Sequence, residues 1–155
     1  MEKHSDQQER ERIAQLASMC VCSNLRRSSR AVSNYYDSLL GQVSDLRVSQ
    51  AIVLAVLYLA GPQTIHELAE MLALDRTTIG RNIRPLVQQG LLTLTSGSDQ
   101  RTRIVTLTAQ GEETLLRVVP QWEQAQAHMV TGMGQEQVAV LLAQLSTVAA
   151  LIHNA

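Results

Sequence analysis

Between Thr64 and Thr108 the spacing of apolar residues changes from a helical to a strand period and back again, and few folds accommodate that within so short a stretch. Thr64 with Glu67 three residues later has the form of a capping box, and Ile65, Leu68, Ala69 and Leu72 then follow at helical spacing. Ala73-Leu74 leaves room only for a tight connection. Asp75 is a good N-cap for the next helix, Asp75–Gln89, whose apolar face carries Ile79, Ile83, Leu86 and Val87. Pro85 should kink or tighten its last turns, and Gly90 ends it. Leu92-Thr93-Leu94-Thr95 and Arg103–Thr108 then alternate with period two, around a turn cluster from Ser96 to Arg101. Two short capped helices joined by a tight turn and followed by a hairpin make a winged helix-turn-helix.

The flanking segments read as helices. The first periodic segment runs from about Gln7 to Leu40, with Ile13, Leu16, Ala17, Cys20, Asn24 and Leu25, then Ala31, Val32, Tyr35, Leu39 and Leu40, near helical spacing and Gly41 as its stop. Val48–Leu59 is apolar nearly all round, as a buried central helix is, and Gly61-Pro62 ends it. Thr108 caps a helix that runs to about Gly132, with Glu112 and Glu113 in its first turns and a bend expected at Pro120. The last helix, about Gln135–Ile152, places Val138, Leu141, Leu145, Val148 and Ile152 at near-heptad spacing. The expected fold is mainly α with a small β-hairpin wing, one domain over 1–155. Within it 1–41 and 109–155 are dimerisation helices and 42–108 is the winged lobe.

Composition narrows the function. With 45% apolar and 17% charged residues the chain is globular. The longest apolar run, Ala51–Ala60, is half of the ~20 residues a membrane span needs. Met1–Arg12 is charged and lacks an apolar signal core, so a cytoplasmic protein is expected. His4, His66, His128 and His153 are scattered, with no pair at metal-ligand spacing on a helix, and His66 reads as a surface residue. Trp122, Met129 and Met133 read as core or pocket lining rather than a cofactor site. There is no glycine-rich phosphate loop and no hydrolase-type nucleophile motif. The chain is expected to be no enzyme and to hold no metal or cofactor.

The net charge of −1 hides an uneven distribution. Residues 75–103 carry Arg76, Arg81, Arg84, Arg101 and Arg103 against Asp75 and Asp99, a local excess of three positive charges. Residues 104–155 carry Arg117 against Glu112, Glu113, Glu123 and Glu136, an excess of three negative ones. The second helix of the pair has no acid between Arg76 and Gln89, and off its apolar face it carries Arg76, Thr77, Arg81, Asn82 and Arg84. Arginine can bridge guanine O6 and N7, asparagine can pair with adenine, and a threonine methyl can meet that of thymine. At the hairpin tip Arg101, flanked by Asp99 and Arg103, suits a minor groove, and Asp99 suits the orienting of an arginine.

In this order the motifs Asp75-Arg76-Thr77-Thr78-Ile79, Arg81-Asn82-Ile83-Arg84-Pro85-Leu86, Gly90-Leu91, Asp99-Gln100-Arg101-Thr102-Arg103 and Leu107-Thr108-Ala109-Gln110-Gly111 resemble the MarR family of winged-helix regulators, over nearly the whole chain. The resemblance implies a triangular homodimer closed by the first and last helices. It also implies that the helix at 75–89 reads the major groove, with Thr78 among its contact residues, and that Arg101 probes the minor groove. A ligand or oxidant site is implied near the junction of the dimer and DNA-binding lobes. At Gly80 relatives often carry a polar side chain. The peroxide-sensing branch has a reactive cysteine early in the first helix and a tyrosine fourteen residues on; Cys22 and Tyr36 match that spacing, while Arg47 and Val48 stand where its second tyrosine would be. Cys20 and Cys22, placed on the first helix, are either such sensors or small buried hydrophobes, the usual state of free cysteine. The implied function is a sequence-specific regulator, a repressor, binding a pseudo-palindromic operator in double-stranded DNA as a homodimer and released by a small ligand or by cysteine oxidation. The alternative is an architectural DNA-binding dimer with no effector.

Overall fold

The computed structural model of the chain describes residues 2–97 and 102–153, with side chains at 6–97 and 102–151. It divides into two compact units, one ending at Tyr35 and the other beginning at Tyr36.

The first unit holds helix α1 (Glu2–Met19) and most of helix α2 (Val21–Leu40). The single periodic segment expected over 7–40 is interrupted at Cys20, which is not helical. The break is held by Asn24. Its side-chain amide donates to Ser18 O and to Cys20 O, both at 3.0 Å, and its own N–H also reaches Cys20 O at 3.0 Å, so Asn24 ties the last turn of α1 to the first turn of α2. Neither glycine nor proline marks the break, and the apolar period runs through it. Cys20 thus lies between the helices and Cys22 in the first turn of α2, rather than both on one helix. Both thiols are exposed in the single chain, not buried hydrophobes.

The second unit starts in the last turns of α2, where Tyr36, Leu39 and Leu40 are buried. Asp37 fixes the start of helix α3 (Val48–Ala60): its Oδ1 accepts from the Val48 N–H at 2.6 Å and its Oδ2 from Arg47 Nη1 at 3.3 Å. Gln50 Oε1 accepts from the Arg47 N–H at 2.9 Å. Helix α3 buries Ala51, Val53, Leu54 and Leu57, but Tyr58 and Leu59 are exposed, the latter by 83%. The all-round apolar pattern therefore overstates its burial in one chain.

Strand β1 (Gln63–Thr64), helix α4 (Ile65–Met71), helix α5 (Arg76–Gln88) and strands β2 (Leu92–Ser96) and β3 (Arg103–Leu107) form the winged part. The sheet is antiparallel with order β1-β3-β2, and Leu94 pairs with Val105 in its middle. The hairpin was expected; the two-residue β1, too short to show a period, was not. Leu68, Ile79, Ile83, Leu86, Leu92 and Val105 form one core with α3 and with Leu115 and Val118 of helix α6 (Ala109–Met133).

Helix α6 is seated on the wing by its first turn. Thr108 donates from its hydroxyl to Gly90 O at 2.7 Å, its N–H reaches Leu91 O at 3.1 Å, and its Oγ1 accepts from the Gly111 N–H at 3.0 Å. Gly111 is buried, and a side chain there would meet the Leu91 carbonyl. Helix α7 (Gln135–His153) packs on α6, yet Val138 is its only buried residue among those described; Leu141, Leu142, Leu145 and Leu151 are exposed.

Candidate nucleic-acid interface

The helix pair is built from matched local signals. Thr64 Oγ1 accepts from the Glu67 N–H at 3.1 Å, and Glu67 Oε2 accepts from the Thr64 N–H at 2.7 Å. This is the reciprocal capping box the sequence predicts. Asp75 Oδ1 accepts from the Thr78 N–H at 2.9 Å, and Thr78 Oγ1 donates to Asp75 Oδ2 at 2.6 Å. Both carboxylates titrate below their ordinary values: Glu67 through the Thr64 backbone and then side-chain hydrogen bonds, Asp75 through the Thr78 side chain and then its backbone. A carboxylate whose pKa is lowered by folding stabilises the fold above its unfolded value, and that contribution is lost as pH falls through the folded value. Thermal unfolding scans should show melting falling from about pH 5 downward. The fall should be shallower in Glu67→Gln/Asp75→Asn, which keeps amide capping groups but cannot titrate.

Both helices end in the same motif. At the end of α5, Gly90 has φ 73, its N–H reaches Val87 O and the Leu91 N–H reaches Leu86 O. At the end of α4, the N–H groups of Ala73 and Leu74 reach Glu70 O and Ala69 O in the same way, but Ala73 has a side chain at φ 50. The left-handed conformation costs an L-residue about 1–2 kcal/mol, and glycine gives back part of that through its freer unfolded chain. Ala73→Gly should therefore stabilise the protein by ~0.5–1 kcal/mol. Denaturant unfolding with an unchanged slope and a higher midpoint checks this.

The turn aims α5. Ile79, Ile83 and Leu86 are buried, while Arg76, Thr77, Arg81 and Arg84 are exposed on its other faces. Asn82 and Thr78 are half-buried, and the Thr78 hydroxyl hydrogen is committed to Asp75. Around Gly80 there is open space, so the helix offers a flat, unobstructed patch between Arg76 and Arg84. The helix carries on through Pro85 to Gln88. Arg103, in the last rung before the hairpin loop, donates from Nη1 to Ser96 Oγ at 3.1 Å. Asp99 and Arg101 lie outside the described residues.

Arg76 and Arg103 share a cleft of about 560 Å³ with Thr64, Ile65, His66 and Thr102. The start of α4, the start of α5 and the wing thus converge on one positively charged recess. His66, a surface residue as expected, forms a 3.4 Å contact with Glu70 Oε1 and lines this recess. Its place there was not evident from the sequence, although its position two residues after a helix N-cap was a usable signal. Cys20 and Cys22 lie in the first unit, and the Tyr36 hydroxyl donates to Gln126 Oε1 of α6 at 2.9 Å.

A model of the MarR family matches residues 44–102, from the approach to α3 to the wing. A structure of the M. tuberculosis transcriptional regulator MosR in complex with DNA is 33% identical, with a TM-score of 0.75 over 86% of this chain and 98% of that one. The chain belongs to the MarR family.

As a MarR-family protein it is a DNA-binding transcriptional regulator, and its neighbours are regulators rather than enzymes. A second structure of M. tuberculosis MosR is 30% identical, with a TM-score of 0.75 over 87% of this chain and 98% of that one. The transcriptional repressor CouR bound to a 23-mer DNA duplex is 26% identical, with the same TM-score over 86% of this chain and 95% of that one. No curated protein sequence matches the chain. Among the described residues no helix is long and apolar enough to cross a membrane.

Proposed function

We propose that this MarR-family regulator is a cytoplasmic repressor that binds a pseudo-palindromic operator as a homodimer. The observation that carries the reading is the exposed, acid-free face of α5, with Arg76 meeting Arg103 of the wing in one basic cleft. In this reading Arg76, Thr77, Arg81, Asn82 and Arg84 meet the major groove, Thr78 supports them through the cap, and Arg101, oriented by Asp99, enters the minor groove. Segments 1–41 and 109–155 close the dimer around the lobe at 42–108. The exposed leucines of α7 supply apolar surface for that closure. Half-sites should lie about one helical turn, ~10 bp, apart. Footprinting on DNA fragments selected by the purified protein, with light scattering for mass, tests this. A monomer at micromolar concentration, or an isolated asymmetric half-site, overturns it.

Release follows one of two routes. Cys20 and Cys22 are exposed, and Cys20 lies at the break between α1 and α2. Fourteen residues of α-helix rise about 21 Å, so a Cys22–Tyr36 relay has to run between two chains rather than within one. The other route is a small ligand. Gln121 Oε1 on α6 is buried with no partner among the described residues, and a ligand's donor would satisfy it. Peroxide titration of DNA binding for the parent, Cys20→Ser and Cys22→Ser separates the routes. A parent indifferent to peroxide, or a double variant that responds like the parent, removes the cysteines from the mechanism. An affinity unmoved by every ligand and oxidant leaves an architectural DNA-binding dimer.

A further inference from the structure

The arginines of α5 that make no ion pair are accounted for by DNA. A second set is not. Arg26, Arg27 and Arg30 are all exposed on α2, and with Ala31 and Asn34 they line a cleft of about 390 Å³. A cleft of the same volume, lined by Leu25, Arg26, Ser29 and Arg30, shares two of them. Arg30 stands i+4 from Arg26 and i+3 from Arg27, so it neighbours both along the helix, and the like charges repel. No acid occurs from Val21 to Tyr36, and among the described residues none of the three forms an ion pair. Arg117, by contrast, is paired with Glu113, and Arg47 with Asp37.

The cluster is also held. Arg27 Nη2 donates to Asn24 Oδ1 at 3.1 Å, and the Asn24 amide is anchored on Ser18 O and Cys20 O at the helix break. One guanidinium is therefore positioned by the same residue that stitches α1 to α2. Each planar fork presents parallel N–H donors matched to two oxygens of one anion. Three such forks within two helical turns, with a carboxamide at the end of the row, call for several negative charges close together. A lone carboxylate cannot supply them.

We infer that the Arg26/Arg27/Arg30 face of α2 is a binding site for a small, multiply charged phosphate compound, separate from the DNA-reading surface. The site does not depend on how α5 meets DNA.

The experiment is calorimetric titration of the full chain with inorganic triphosphate at low salt. The variants are Arg26→Ala/Arg27→Ala/Arg30→Ala, its triple-lysine counterpart, and Arg76→Ala/Arg81→Ala/Arg84→Ala. The parent and the α5 variant should bind with the same saturable isotherm. The alanine variant of α2 should bind at least about tenfold more weakly, as expected for a lost charge-assisted hydrogen bond, with unchanged thermal unfolding. The lysine variant, which keeps charge without the fork, should fall between. No saturable binding by the parent overturns the inference, as does loss in the α5 variant rather than in the α2 variant. If the parent ignores triphosphate while the α2 variant turns monomeric, the arginines pair with acids of a second copy. If it instead loses DNA affinity, they grip the DNA backbone. Either result also overturns the site.

Discussion

Gly111→Ala should destabilise the protein by about 3 kcal/mol or more, the largest effect expected for the addition of one methyl group. A Cβ at 111 would overlap the backbone carbonyl oxygen of Leu91 and lie 2.7 Å from Leu107 Cδ1. The leucine tip could rotate away, but the carbonyl cannot. It belongs to the turn between α5 and β2 and accepts from the Thr108 N–H, while the Thr108 hydroxyl holds the adjacent Gly90 O. Helix α6 would have to lift off the wing, breaking those bonds and opening the core around Leu115 and Val118. Overpacking costs ~1–3 kcal/mol, and the broken hydrogen bonds add about 0.5–1.5 each. At roughly 2–4 °C per kcal/mol for a chain of this size, the melting temperature should fall by ~6–12 °C. Gly132→Ala is the control: it lies in the same helix with open space around it, and should gain stability by ~0.5–1 kcal/mol. Calorimetric melting of the two variants side by side separates crowding at Leu91 from any general effect of alanine in α6. Equal melting temperatures would mean that the wing does not need this close approach.

The winged lobe was the most legible part of the chain because its signals are local and redundant. Thr64, Glu67 and Asp75 each announce a helix start through a side chain that can reach a nearby N–H, and all three make that bond. The switch to period two at Leu92 shows the sheet face directly, since Leu92 and Val105 turn to the core. Features that depend on distant partners were not legible. Strand β1 exists because Gln63 and Thr64 meet Val105 and Ile104, a pairing no local pattern encodes. Asp37 looks like an ordinary surface acid, but eleven residues later it holds the first N–H of α3.

The break at Cys20 was hidden for a different reason. A helix normally stops at a residue that cannot continue it, whereas here Asn24, from beyond the break, binds Ser18 O and Cys20 O through its side-chain amide. At the site, the sequence singled out the exposed residues of α5, because their apolar counterparts define the buried face by subtraction. It did not show that Arg76 and Arg103, 27 positions apart, share a cleft with His66. That depends on the fold of the wing back over the start of α4, which needs the sheet register.

Arg81→Ala should weaken operator binding by ~1–3 kcal/mol, about 5- to 150-fold, and should relax base preference at one position in each half-site. Arg81 is exposed on the face opposite the buried Ile79 and Ile83, next to the open patch at Gly80, and forms no ion pair among the described residues. Its removal should therefore leave the melting temperature unchanged. Arg103→Ala should behave differently. Arg103 sits at the loop end of the wing hairpin and is held by Ser96, a position suited to phosphate rather than to a base edge. Without it, operator and random DNA should both bind more weakly, and the slope of log K against log salt should drop by about 0.9 for each phosphate no longer neutralised. A symmetric dimer gives up two such phosphates, so the slope should fall by roughly twice that amount. Titrations of selected and random duplexes at several salt concentrations read both effects at once. An Arg81→Ala protein whose affinity drops equally for both duplexes would make Arg81 a backbone contact. An Arg103→Ala protein with an unchanged salt slope would place this end of the wing off the DNA.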